Sequence, residues 1–300
     1  MITMTKKFTK LNIGSTVVLN GSKCFKKLSV NPTSSDITGD FTDEPVAYGN
    51  FLTFSSPKVF VLATANSAKN WDGEIEYSRD ANNWYVWDGT TSLLANKGRL
   101  YLRGTWNTII TGKNRNSNWV LTGTNIDCSG NIEALRDYAL AETGEYLWMD
   151  ERCYYRMFYG CTSLISAPEL PYTGVSFEGY RSMFEGCENL ISAPSLPATH
   201  VQDFSYCAMF RNCTSLSSLP AIYATWFQMW CCDGMFENCT NIKISTTQTG
   251  EYQTAYRIPA SGTGEVSNSA VFADMFAGTG GTFKGSPRIN TTYYTSNTVV

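Results

Sequence analysis

The dipeptide Met-Phe recurs at residues 157, 183, 209 and 235, each 26 residues after the last. A fixed period of this size marks a stack of similar units. One such unit cannot bury its own apolar face, but neighbours can bury it for one another. The frame extends past Met-Phe. Four residues after each Met stands a Cys (Cys161, Cys187, Cys213, Cys239), and three further on an aliphatic residue (Leu164, Leu190, Leu216, Ile242). Pro168, Pro194 and Pro220 follow, then Leu170, Leu196 and Ile222. A fifth pair, Met275-Phe276, comes 40 residues after the fourth, one period plus an insertion of 14, with Thr279 in the Cys position.

Each unit reads in two parts. Leu164–Leu170 is extended, because a proline pushes its predecessor out of helical geometry. Glu151–Phe158 reads as a short helix with Met157 and Phe158 inward. Gly160, Gly186 and Gly278, exchanged for Asn212 and Asn238, then mark a left-handed helix end, since both residue types tolerate positive φ. The Cys column reads as a small buried residue beside that end, because clustered Cys-x-x-Cys ligand pairs are missing.

The stretches MFYGCTSLISAPELP, MFEGCENLISAPSLPAT and MFRNCTSLSSLPA resemble the BspA-type leucine-rich repeat of gut-bacterial surface proteins and of virion proteins of their phages. The block EYSRDANNWYVWDGTTSLLANKGRLYLRG and the C-terminal run from Tyr256 resemble the same group, so the likeness covers most of the chain beyond residue 45. It implies a right-handed solenoid used in adhesion or receptor recognition and fixes no ligand. The expected fold class is α+β: a leucine-rich-repeat solenoid following a small, Ig-like N-terminal β-sandwich.

The expected organisation is an N-terminal arm or attachment segment at 1–45 and a β-sandwich-like domain at 46–126. A capping segment at 127–147 follows, then the repeats at 148–286 and a C-terminal strand or cap at 287–300. The β assignment rests on short alternating runs such as Gly98–Thr105, separated by turn signals such as Asp88-Gly89. Asp80-Ala-Asn-Asn reads as a turn, having too few carboxylates for a calcium loop. Residues 128–147 carry an apolar stripe at Ile132, Leu135, Tyr138 and Leu140 and read as a capping helix.

A position held by the common core should repeat, whereas one facing water or a ligand is free to vary. Tyr154, Tyr180 and Tyr206 share a position and read as core. Between successive frames lies a varying window of nine residues, beginning at Trp148, Gly174, His200 and Trp226. The candidate ligand-binding residues are the aromatic members of its varying positions: Trp148, Phe177, Phe204, Trp226, Phe227 and Trp230, with His200 beside them. Exposed Trp and Phe are the side chains interface hot spots use. Packing between coils is the competing explanation for the same residues. A second candidate surface is the small polar strand face that includes Ser166, Glu169, Ser192 and Ser218.

No enzyme is expected. His200 is the one histidine, so no Ser-His-Asp or Cys-His set can form without it. The run from Gly278 lacks the Gly-Lys-Ser/Thr of a phosphate loop. No cofactor and no metal are expected. The net charge of −3 without a basic run argues against nucleic acid as partner. No stretch approaches the ~20 apolar residues of a membrane span. The N-terminus shows no secretion signal, which favours a virion protein over a secreted one. The expected role is a phage virion structural protein (tail fibre, spike or decoration) on the virion surface. It would recognise a host-surface receptor, protein or polysaccharide, and contact other virion proteins. The alternative is a bacterial cell-surface adhesin binding host protein or glycan. Homo-oligomerisation stays open, since no heptads force it.

Overall fold

The computed structural model describes residues 10–13, 15–18, 51–95, 98–113, 117–244, 256–268, 270–281, 287 and 289. Most of the expected arm and nearly all of the expected C-terminal strand lie outside them. The chain divides into two compact units, 1–50 and 51–300. In the first, β1 (Lys10–Ile13) pairs antiparallel with β2 (Ser15–Val18).

The second unit begins with two antiparallel sheets. β3 (Leu52–Ser56), β5 (Glu74–Ser78), β6 (Tyr85–Val86), β8 (Gly98–Thr105) and β10 (Asp127–Ser129) form a five-stranded sheet in the order β10-β3-β8-β5-β6. β4 (Phe60–Thr64), β7 (Leu93–Ala95) and β9 (Trp119–Thr122) form a three-stranded sheet in the order β7-β4-β9. Alternate residues are covered in both sheets: Leu100 and Leu102 of β8, as its alternating sequence suggests, and Phe60 and Leu62 of β4, whose sequence is an apolar run, are buried. Trp87 and Trp119 meet edge to face at 5.3 Å. Asp80 closes the β5–β6 connection as a turn. One oxygen, Oδ1, accepts the N–H groups of Asn82 at 2.9 Å and Asn83 at 2.8 Å.

The expected α+β class, with a leucine-rich-repeat solenoid carrying a helix in each repeat, is overturned here. The described residues are mostly sheet and turn. They hold one α-helix, α1 (Tyr138–Thr143), and it lies outside the repeats. The stretch 151–160 is a run of linked turns. Its N–H groups alternate between two destinations. Those of Cys153, Tyr155, Met157, Tyr159 and Cys161 go three residues back along the chain. Those of Arg152, Tyr154, Arg156, Phe158 and Gly160 go to carbonyls of the next coil, at Phe177, Gly179, Arg181, Met183 and Glu185. An α-helix would use every one of these donors internally. Left-handed residues at every fourth position prevent that: Arg152, Arg156 and Gly160 have φ of 61°, 54° and 71°. The next coils repeat the arrangement at Glu178, Ser182 and Gly186, at Phe204, Ala208 and Asn212, and at Trp230, Gly234 and Asn238. The Gly/Asn exchange thus marks positive φ as expected, at a turn rather than a helix end.

Immediately before the turns of each coil, β11 (Gly174–Val175), β12 (His200–Val201), β13 (Trp226–Phe227) and β14 (Glu265–Val266) form a parallel ladder. Inside, like side chains stack. Phe158, Phe184, Phe210, Phe236 and Phe276 form one column with ring centroids 5.5–5.6 Å apart. Tyr154, Tyr180 and Tyr206 form a second, at 5.4 and 6.1 Å. Cys187, Cys213 and Cys239 donate to the carbonyls of Phe158, Phe184 and Phe210 in the preceding coil, with Sγ–O distances of 3.0–3.1 Å. The Cys position therefore needs a small apolar body carrying one weak donor. Burial pushes the Cys239 thiol up to about 12.

The β sheets and the coils share one core. Phe54 of β3 and Trp119 of β9 both touch Phe158, at 6.0 and 6.3 Å. The segment after β8 serves as the coil before the first repeat. The N–H groups of Thr111, Trp119 and Ile126 reach the carbonyls of Cys153, Met157 and Ser163. The expected capping stretch is β10, a 3-10 turn at Ile132–Leu135 and then α1. It buries an ion pair, Arg136 Nη1 to Glu133 Oε2 at 2.5 Å, with both side chains 1% exposed. Glu133 Oε1 also accepts from the hydroxyls of Tyr154, at 3.3 Å, and Tyr180, at 3.5 Å, tying this cap to the first two repeats.

Candidate ligand-binding surface

The in-register ladder sorts the varying positions into columns that the sequence shows only as windows. Residues along a strand alternate between faces. In β11, β12 and β13 the first position faces out and the second faces in, whereas both residues of β14 are exposed. Gly174, His200, Trp226 and Glu265 form the outward column, with Trp148 at the same repeat position one coil earlier. Val175, Val201 and Phe227 are buried beneath it.

The seven candidates therefore separate. Trp148 is 70% exposed and Trp226 40%. His200 is exposed, with Nδ1 at 3.0 Å from Thr199 Oγ1, and is paired with Trp226 across β12 and β13. Phe177, Phe204 and Trp230 are half-buried. Phe177 and Phe204 pack edge to face at 6.1 Å, with the guanidinium groups of Arg152 and Arg181 lying over them at 5.5 and 5.1 Å. Phe227 is fully buried and meets Phe272 at 5.2 Å, so it is a core residue and not a surface one. The chain brings His200 next to Trp226, and Phe177 next to Phe204; it does not gather all seven at one place.

Trp148 borders a cavity of about 470 Å³, lined also by Ile109, Asp150, Glu151, Ser176 and Gln202. Three of these occupy one repeat position, and Gln228 continues it. This polar column was visible in the aligned windows and was not among the expected site residues. The cavity rim is held by hydrogen bonds. Ser176 Oγ donates to the Asp150 carbonyl at 2.8 Å, and Gln202 Oε1 accepts from the N–H of Phe177 at 3.1 Å. The Thr108 hydroxyl lies 2.7 Å from carboxylate oxygens of both Asp72 and Asp150 and can donate to one at a time. Burial raises the Asp72 carboxyl, but donation from Thr108 and Ile109 outweighs it and holds the group below the usual carboxylate range.

The alternative strand face carries a groove of about 400 Å³, bordered by Pro168, Glu169, Leu170, Pro171, Pro194 and Pro197. Ser166 is not free there, since its hydroxyl oxygen accepts the Cys128 N–H at 3.0 Å. Among the described residues no group of three His, Cys, Asp or Glu is placed to hold a metal ion. In comparisons with protein-family models, curated proteins and solved structures, nothing matches the chain.

Proposed function

We propose that this chain is a recognition protein of a phage virion, in which stacked coils hold an aromatic column against a receptor on the host surface. The observation carrying this reading is the outward column at the window start. Beneath it, Met149, Val175, Val201 and Phe227 are all apolar and buried. On it, the exposed side chains are Trp148, His200, Trp226 and Glu265. Large exposed aromatics on a rigid frame supply contact area at little entropic cost. The virion setting draws on the resemblance of the repeats to phage and gut-bacterial surface proteins.

The test is binding of the purified, labelled chain to intact host-type bacteria, with Trp226→Ala and His200→Ala compared to wild type. Both side chains lie on the outer face, so melting temperature should stay within a few degrees. Trp226→Ala should weaken cell binding at least about tenfold, the scale of a hot-spot truncation. Unchanged binding by the double variant would overturn the assignment.

A further inference from the structure

We propose that the cavity beside Trp148 is a binding site for one or two rings of a neutral saccharide. This deepens the recognition reading above and rests on it. The cavity volume, about 470 Å³, falls in the range of small-ligand sites, about 300–1000 Å³. Its lining combines two features such a ligand needs.

The first is a flat apolar platform. Trp148 is 70% exposed, and among the described residues no aromatic ring packs against it. A buried core tryptophan, such as Trp119 at 0% exposure, shows how this chain treats an indole it needs for packing. The C–H face of a pyranose ring matches an indole face in size and polarity.

The second is a rim of hydrogen-bonding groups suited to ring hydroxyls. The carboxylates of Asp150 and Glu151 are acceptors. Gln202 accepts the Phe177 N–H on its Oε1, which fixes the orientation of its amide and leaves Nε2 as a donor. Donors and acceptors around an apolar platform bind a hydroxyl-rich ring from its edges while the indole covers its face.

Charge selects among saccharides. No Lys, Arg or His lines the cavity, and two carboxylates do. A sulfated, phosphorylated or carboxylated sugar would bring an anion against Asp150 and Glu151, which like-charge repulsion disfavours. Neutral hexose or N-acetylhexosamine units meet no such penalty. The site is assembled from the loop after β8 (Ile109) and three successive coils (Asp150, Ser176, Gln202), whose backbones are hydrogen-bonded to one another. It is therefore preformed.

The experiment uses the full chain and immobilised polysaccharides. The neutral set is mannan, galactan and β-glucan; the acidic set is polygalacturonate and heparin. The expected result is retention on at least one neutral polysaccharide, competed by its monosaccharide, and none on the acidic set. Trp148→Ala should reduce retention at least about tenfold, and Glu151→Gln should reduce it less. Both Trp148 and Glu151 are exposed, so a matching far-ultraviolet spectrum and melting curve will show that the variants are folded. Retention that Trp148→Ala leaves intact overturns the proposal, as does preference for the acidic set. If whole bacteria bind the chain but no neutral polysaccharide does, the saccharide assignment falls and the recognition reading stands. If neither binds, both fall.

Discussion

Phe210 sits at the middle of the longest column in the core, with Phe184 at 5.5 Å on one side and Phe236 at 5.6 Å on the other, the rings within 3° of parallel. It is fully buried. Phe210→Leu keeps most of the apolar volume and removes both ring pairs. At about 0.5–1.5 kcal/mol per pair, the loss should be about 1–3 kcal/mol. Phe210→Ala adds a cavity and should cost about 3–5 kcal/mol, a large share of a stability of about 5–15 kcal/mol. Urea denaturation at equilibrium reads both values. A double-mutant cycle with Phe184→Leu isolates one pair, because the double variant loses the 184–210 contact only once. The expected coupling is about 0.5–1.5 kcal/mol. Additive losses, with coupling below about 0.3 kcal/mol, would refute the claim that ring-on-ring contact stabilises the stack beyond burial of the individual side chains.

Glu133→Gln should destabilise by about 3–5 kcal/mol in the same assay, since it strands the buried Arg136 guanidinium; Glu133→Gln with Arg136→Met should recover much of that loss. Asp72, Asp80 and Asp88 are all held below the usual carboxylate value by hydrogen bonds, Asp88 at about 2. A depressed folded value stabilises above the unfolded value of about 3.9 and is lost as pH falls through the folded one. Melting temperature should therefore drop between about pH 4 and pH 2. Asp80→Asn, which keeps the turn acceptor, should flatten that drop, whereas a flat wild-type profile would contradict it. The nine cysteines of the described residues are buried and unpaired. Iodoacetamide at neutral pH should leave them unmodified until denaturant is added, with mass spectrometry as readout; rapid native labelling would mean the coils open.

One strand of the first sheets was legible because alternation survives there: β8 buries Leu100 and Leu102 between half-buried Tyr101 and Arg103; β4, Phe60-Val-Leu-Ala-Thr, reads only as an apolar run, so its burial of every second residue was not. The repeat frame was legible for a similar reason, since every coil has like neighbours. The turn ribbon was not. Met149, Cys153, Met157 and Cys161 recur every four residues and are buried, which resembles a helical stripe. A helix at 3.6 residues per turn drifts about 40° with each such step, so three steps would carry Cys161 off the face that holds Met149. The sustained period of four was the sequence sign of a different backbone. Left-handed geometry at Arg152, Glu178, Phe204 and Trp230 left no sign, because those residue types do not prefer it. In the site, Phe227 was misplaced because its position was treated as varying. Val175, Val201 and Phe227 differ in size but are all apolar, and polarity was the property the core conserved between coils. The cavity beside Trp148 was out of reach, since it needs Ile109, whose distance from the coils is closed only by the hydrogen bonds that Ile110, Thr111, Trp119 and Ile126 make to the first repeat.

The alternating destinations of the N–H groups in the turn ribbon have a further consequence for scale. Each coil is bound to the next by its own backbone, so its height is fixed by hydrogen-bond length and not by the side chains it displays. Neighbouring strands of a ladder lie about 4.8 Å apart, which puts Gly174 and Glu265, three steps apart, at roughly 14 Å. The outward column is in effect a ruler with one graduation per coil, whatever the length of chain between them. Substitutions in the windows change which mark is inked without moving the marks. A receptor that binds along this column must present its own contacts at the same pitch, and a regular polymer is the kind of surface that does so.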